Sequence, residues 1–92
     1  MNFKYEKQDF ILNYLKKYGS VNILDKFFVD NYIAKFKVKY TVQYFGANTC
    51  RDLGRVLSEM YKCNLLTRFR IGMDEAAPGF PNWIYVYRLK HD

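Results

Sequence analysis

Arg51, Arg55, Ser58 and Lys62 recur at spacings of three and four residues, which on a helix puts two guanidiniums, a hydroxyl and an ammonium on one face. No acid interrupts the centre of that row. Asp52 and Glu59 fall on its flank, three or four residues from Arg55, where a carboxylate can orient a guanidinium. Arg reads guanine through paired hydrogen bonds in the major groove, while Ser, Asn and Thr serve phosphates or base edges. The pattern predicts contact with double-stranded DNA, with Arg51 and Arg55 toward bases and Asn48, Thr49, Ser58 and Lys62 toward phosphates. Gly54, beside Arg55, removes bulk where a phosphate backbone or partner would approach, at a cost of about 1 kcal/mol of helix stability relative to Ala. The competing explanation for such a row is a merely solvated helix face.

The wider composition agrees with a polyanionic partner. Fifteen Lys and Arg oppose nine Asp and Glu, for a formal charge of +6 over 92 residues. Placement of that charge, not its sign, must separate nucleic acid from an anionic membrane surface or an acidic protein. Half the residues are hydrophobic and a fifth aromatic, enough for one core without metal or disulfide staples, so residues 1–92 are expected to form a single domain. Cys50 and Cys63, read as sharing one helix, would lie about 20 Å apart and stay free thiols. His91 is the only histidine and no C-x-x-C pair occurs, so no metal or other cofactor is expected. Ser20 and Ser58 have no nearby histidine, the carboxylates are unpaired and no glycine-rich phosphate loop is present, which argues against an enzyme and a small-molecule ligand. The first residues lack an unbroken apolar stretch of signal-peptide or membrane-spanning length, so a cytoplasmic protein without membrane contact is expected, in the host cytoplasm if its source is viral.

The elements that must position the basic row follow from periodicity. Phe3, Phe10, Ile11, Tyr14, Leu15 and Tyr18 keep a helical rhythm that Gly19 ends, and Lys7, the one gap, can lay its stem along the apolar face. Residues 20–22 read as a short extended link or cap, and Leu24, Phe27, Phe28 and Tyr32 support a second helix over 23–35. Over 35–44 a strict alternation suits a strand, while Val38, Val42 and Phe45 also suit a helix; a helix followed by an irregular turn is the preferred reading. Thr49 and Asp52 have capping-box spacing, so a third helix should start near Thr49 and run to Lys62, with Asn64 able to take the left-handed conformation that ends it. Its apolar stripe is Leu53, Val56, Leu57 and Met60, nearly opposite the basic row. Residues 65–73 and 83–90 alternate as a hairpin, and 74–82, with both prolines, make a projecting loop.

This order, with LGRVLSEMYKCNLLTRFRIG and then NWIYVYRLK, resembles the second half of winged helix-turn-helix DNA-binding domains, a group of small regulators common in archaea, their viruses and bacteria. The resemblance implies an α+β fold: three helices, the third for recognition, followed by a two-stranded β-hairpin wing. It places Arg68 and Arg70 on the first wing strand as further DNA contacts, Arg88 and Lys90 on the second, and implies a transcriptional regulator. Two features depart from the pattern. The interval between the first helix and Thr49 is long enough that 35–47 would hold an extra strand or a lengthened second helix, and Asp74 and Glu75 at the wing tip would repel phosphates.

Other functional classes compete. An aromatic surface and acidic wing tip could dock a protein instead of DNA. Tyr40, Tyr44, Tyr85 and Tyr87, interleaved with Lys37, Lys39 and Arg88, could stack bases of single-stranded nucleic acid or RNA, although alternating strand aromatics more often build core. If duplex DNA is the partner, a domain this small suggests a homodimer reading two half-sites, with Phe3, Tyr5, Phe10 and Tyr14 of the first helix as its interface.

Overall fold

The computed structural model describes residues 4–42, 48–72 and 83–90. Among these residues, three helices and two antiparallel strand pairs, each pair its own sheet, make an α+β fold: α1 (Lys4–Tyr18), α2 (Lys26–Phe36), β1 (Thr41–Val42), β2 (Asn48–Thr49), α3 (Arg51–Lys62), β3 (Leu66–Gly72) and β4 (Trp83–Leu89). Phe3, the loop 74–82 with Asp74 and Glu75, and Tyr44 lie outside the described residues.

Each helix ends where local chemistry stops it. Gly19, at φ 89°, takes the left-handed turn after α1 and donates its N–H to the Leu15 carbonyl at 2.8 Å. The second helix starts at Lys26, later than its apolar spacing suggested. Asn22 Oδ1 accepts from the Leu24 N–H, and Asp25 caps the helix by accepting from the Phe28 N–H, so 22–25 form a turn instead of a first helical turn. The helix closes with Lys37 in the left-handed conformation, φ 57°, and its N–H on the Ile33 carbonyl.

Beyond Lys37 the chain differs in part from a helix followed by an irregular turn. An irregular stretch follows the helix, but Thr41 and Val42 then form a short strand paired with Thr49 and Asn48. Residues 43–47 lie outside the described residues.

The capping box at the start of α3 is corrected. The N-cap residue is Cys50, whose side chain makes no capping bond. Thr49 sits in β2 with its hydroxyl donating to the Thr41 carbonyl, and Asp52 is drawn inward by α1 and α2. Pairing of β2 with β1 extends the chain through Thr49 and moves the helix start past it. The far end of α3 behaves as expected. Asn64, at φ 65°, lets Leu65 N–H reach the Met60 carbonyl and Asn64 N–H the Tyr61 carbonyl, the paired bonds that close a helix with a left-handed residue.

One core joins these elements. Ile11 and Leu15 from α1, Phe28, Val29 and Tyr32 from α2, Leu53, Val56, Leu57 and Met60 from α3, and Leu66 and Tyr87 from the hairpin are all buried. Burying one such aliphatic or aromatic side chain contributes about 1.5–3 kcal/mol, so the apolar stripe of α3 anchors the helix and forces its basic row outward. The hairpin pairs Leu66 with Leu89 through Gly72 with Trp83. Val21, in the link between α1 and α2, exchanges both backbone hydrogen bonds with Tyr87, at 3.1 and 2.8 Å, and so ties that link to β4.

Candidate nucleic-acid interface

The exposed face of α3 presents Arg51, Arg55 and Lys62 to solvent, with Ser58 half-buried among them. Arg55 is held from its own helix: its Nη2 donates to Asp52 Oδ1 at 2.7 Å. Asp52 is the meeting point of three helices, because its Oδ2 also accepts from Lys7 Nζ of α1 at 2.9 Å and from the Tyr32 hydroxyl of α2. Burial alone would raise the Asp52 pKa, but hydrogen bonds from Tyr32 and Lys7 outweigh it and hold the carboxyl below its ordinary value. Burial, reinforced by that carboxylate, pushes the Tyr32 phenol far above the usual tyrosine range, so it stays a donor. The outcome is a fixed anion that orients one exposed guanidinium while its second oxygen is satisfied from within.

The basic row continues onto the hairpin. Arg68 Nη1 approaches Ser58 Oγ at 3.5 Å, and its guanidinium lies between the Tyr61 and Tyr85 rings, 3.9 and 4.0 Å from their centroids. Arg70, two residues on, lies over Trp83 at 5.0 Å, while Arg88 on the opposite hairpin face covers Phe69 at 4.8 Å. Arg68 is thus a half-buried clamp between β3 and α3, whereas Arg70 is exposed.

The N-terminal flank is built differently. Asn48 donates through Nδ2 to Asp30 Oδ1 at 2.9 Å, so one of its amide donors links β2 to α2. Hydrogen bonds from Lys26 and from Asn48 lower the Asp30 pKa and keep this neighbour of Asn48 negative. Thr49 is half-buried in β2. Arg51, Arg55, Ser58, Lys62, Arg68 and Arg70 therefore sit on α3 and the hairpin strand beside it, while Asn48 and Thr49 belong to the small sheet that abuts α2.

Sequence patterns marked several residues of consequence without their partners. Lys7 and Tyr32 meet Asp52 from 45 and 20 positions away, and no local spacing announces either pair. Lys37 and Lys39, which the sequence offered only as basic neighbours of tyrosines for single-stranded nucleic acid, line a cleft with Arg51 and Arg55. Both cysteines are free, Cys50 buried as the N-cap of α3 and Cys63 exposed as its C-cap, so they flank the helix and are not within it. Of the aromatic residues expected at a dimer interface on the first helix, Phe10 and Tyr14 are half-buried and Phe3 lies outside the described residues. Phe10 and Tyr14 pack within the chain, Phe10 stacked on Phe28 and Tyr14 against Phe28 and Phe27. Tyr5 remains exposed, and Tyr18 and Phe27 are the other exposed rings on these two helices.

No family model, curated protein or solved structure matches this chain. Among the described residues, no helix is long and apolar enough to cross a membrane.

Proposed function

We propose that this chain is a winged helix-turn-helix domain that binds double-stranded DNA through the exposed face of α3 and acts as a cytoplasmic transcriptional regulator with no catalysis of its own. The observation that carries this reading is the continuity of the basic row: Arg51, Arg55, Ser58 and Lys62 on α3 run into Arg68 on β3 through the Ser58–Arg68 contact. At about 1.5 Å per residue, the twelve residues of α3 extend about 18 Å, enough to lie in a major groove about 12 Å wide with both ends near phosphates. The element order supports the same reading, with the extended link at Val21 hydrogen-bonded to β4 and the hairpin directly after α3.

Arg51 and Arg55 then face bases, Ser58 and Lys62 face phosphates, and Arg70 reaches the backbone beside the groove. A homodimer would offer two such faces to two half-sites. The test is a fluorescence-anisotropy titration of random-sequence duplex at several salt concentrations, comparing wild type with Arg51→Ala/Arg55→Ala. We expect binding that weakens steeply with salt and an affinity about tenfold or more lower in the variant. Absence of binding at low salt, or indifference to both arginines, would remove DNA as the partner.

A second reading, a winged helix that docks a protein, is favoured by Tyr18 and Phe27, which stand exposed along a groove of about 540 Å³ between α1 and α2. That groove shares no residue with the basic face.

A further inference from the structure

A second basic feature lies at the N-terminal end of α3. Lys37, Val38 and Lys39, the irregular stretch after α2, form one wall of a cleft of about 730 Å³, and Arg51, Asp52 and Arg55 form the other. Four cations thus face one carboxylate, and that carboxylate is already occupied by Lys7, Tyr32 and Arg55. Among the described residues Lys37, Lys39 and Arg51 take part in no ion pair, and all three are exposed.

The wall that carries the lysines is fixed to the helix it faces. The Cys50 thiol donates to the Lys39 carbonyl at 3.6 Å, the Thr49 hydroxyl donates to the Thr41 carbonyl, and β1 pairs with β2 immediately before α3 begins. At the other end, the left-handed turn at Lys37 redirects the chain as it leaves α2. Loose surface lysines need no such anchoring. A concavity with two ammoniums on one wall and the first turn of α3 as the other matches the charge and the many acceptor oxygens of a phosphate backbone.

We infer that the lysine wall of this cleft binds backbone phosphates of the nucleic acid that α3 contacts, gripping one strand at the helix's N-terminal end beside Arg51 and Arg55, which keep their direction toward bases, while Lys62 and the hairpin lie toward the other strand. The inference rests on the DNA-binding reading above and adds Lys37 and Lys39 to it as contacts that carry charge but no base recognition. Each phosphate neutralised contributes about 0.9 to the slope of log affinity against log salt.

The experiment compares wild type, Lys37→Ala/Lys39→Ala, and the charge-matched control Lys16→Ala/Lys17→Ala at the end of α1, each checked for an unchanged melting transition. A short random-sequence duplex is titrated across a fourfold range of salt. The lysine pair of the cleft should lower the slope by about 1.8, so that wild type loses about tenfold more affinity than the variant over that range. The α1 control should keep the wild-type slope. Equal losses in both variants, or no change in the cleft variant while Arg51→Ala/Arg55→Ala still weakens binding, would overturn the cleft and leave the α3 reading standing. If wild type binds no duplex, the DNA reading fails, and NMR titration with pyrophosphate decides the cleft alone: amide shifts at Lys37 to Lys39 and Arg51 to Arg55 retain an anion site, and their absence rejects it.

Discussion

Replacing Asp52 by Asn removes one charge from the point where α1, α2 and α3 meet. The side chain is 18% exposed, and its partner Lys7 is 15% exposed, so the ion pair between them is largely shielded from water. A hydrogen bond to a charged group contributes about 1.5–3 kcal/mol, and stranding one partner of a buried pair costs about 3–5 kcal/mol. The arm to Arg55 adds little, because that guanidinium is 68% exposed and solvent screens it. Asn retains one acceptor for Tyr32 or Lys7. The expected loss is therefore about 2–3 kcal/mol at neutral pH, a drop in melting temperature of about 10 °C or more for a domain of this size.

The pH dependence of that loss is the sharper test. Because the folded-state pKa of Asp52 lies below its ordinary value, its contribution is complete above the unfolded carboxyl's pKa of about 3.9 and is lost as pH falls through the lower folded value. Urea unfolding of wild type and Asp52→Asn, followed by far-ultraviolet circular dichroism from neutral pH downward, should give a stability difference that is constant to about pH 5 and shrinks below pH 4. A difference that persists unchanged into acid, or one below about 0.5 kcal/mol at neutral pH, would refute the three-helix junction as a source of stability.

Two further substitutions separate folding from binding. At Gly54 an added Cβ meets nothing within 4 Å, so Gly54→Ala should stabilise the domain by about 1 kcal/mol through helix propensity, seen as a melting temperature about 4–8 °C higher; a lower melting temperature would mean that the position needs glycine for packing. If the duplex backbone approaches this turn as proposed, the same variant should bind DNA more weakly despite its greater stability. Arg68→Lys keeps the charge but loses the planar group between Tyr61 and Tyr85, and should cost about 1–2 kcal/mol in chemical denaturation. An unchanged midpoint would show that the stacked arrangement contributes nothing to docking the hairpin on α3.

Periodicity alone was enough for the existence and type of the long elements. The apolar stripe Leu53, Val56, Leu57 and Met60 is buried, and the opposite row is exposed or half-buried, because a regular helix turns spacing directly into direction. Asn64 and Gly19 end their helices because residues that tolerate positive φ leave a local signature. Short range also misled. Thr49 and Asp52 had the spacing of a cap, yet β1 claimed the first and Lys7 and Tyr32 the second. The alternation over 35–44 fitted two structures, and the short strand at Thr41 and Val42 is seen only with its pairing to Asn48 and Thr49.

Three helices, a hairpin and a cationic face on the third helix could be read from residue order in this basic, aromatic-rich chain, since each of these rests on neighbours within a turn or two. Which charges act together depends on how the helices and the hairpin pack. That packing brought Lys7 and Tyr32 to Asp52, Arg68 to Ser58, and Lys37 and Lys39 across a cleft from Arg51 and Arg55. Those partners are separated by 10 to 45 positions where a direct bond joins them, and such pairings are set by how the helices pack around Tyr32, Leu53 and Leu57, which no local spacing encodes.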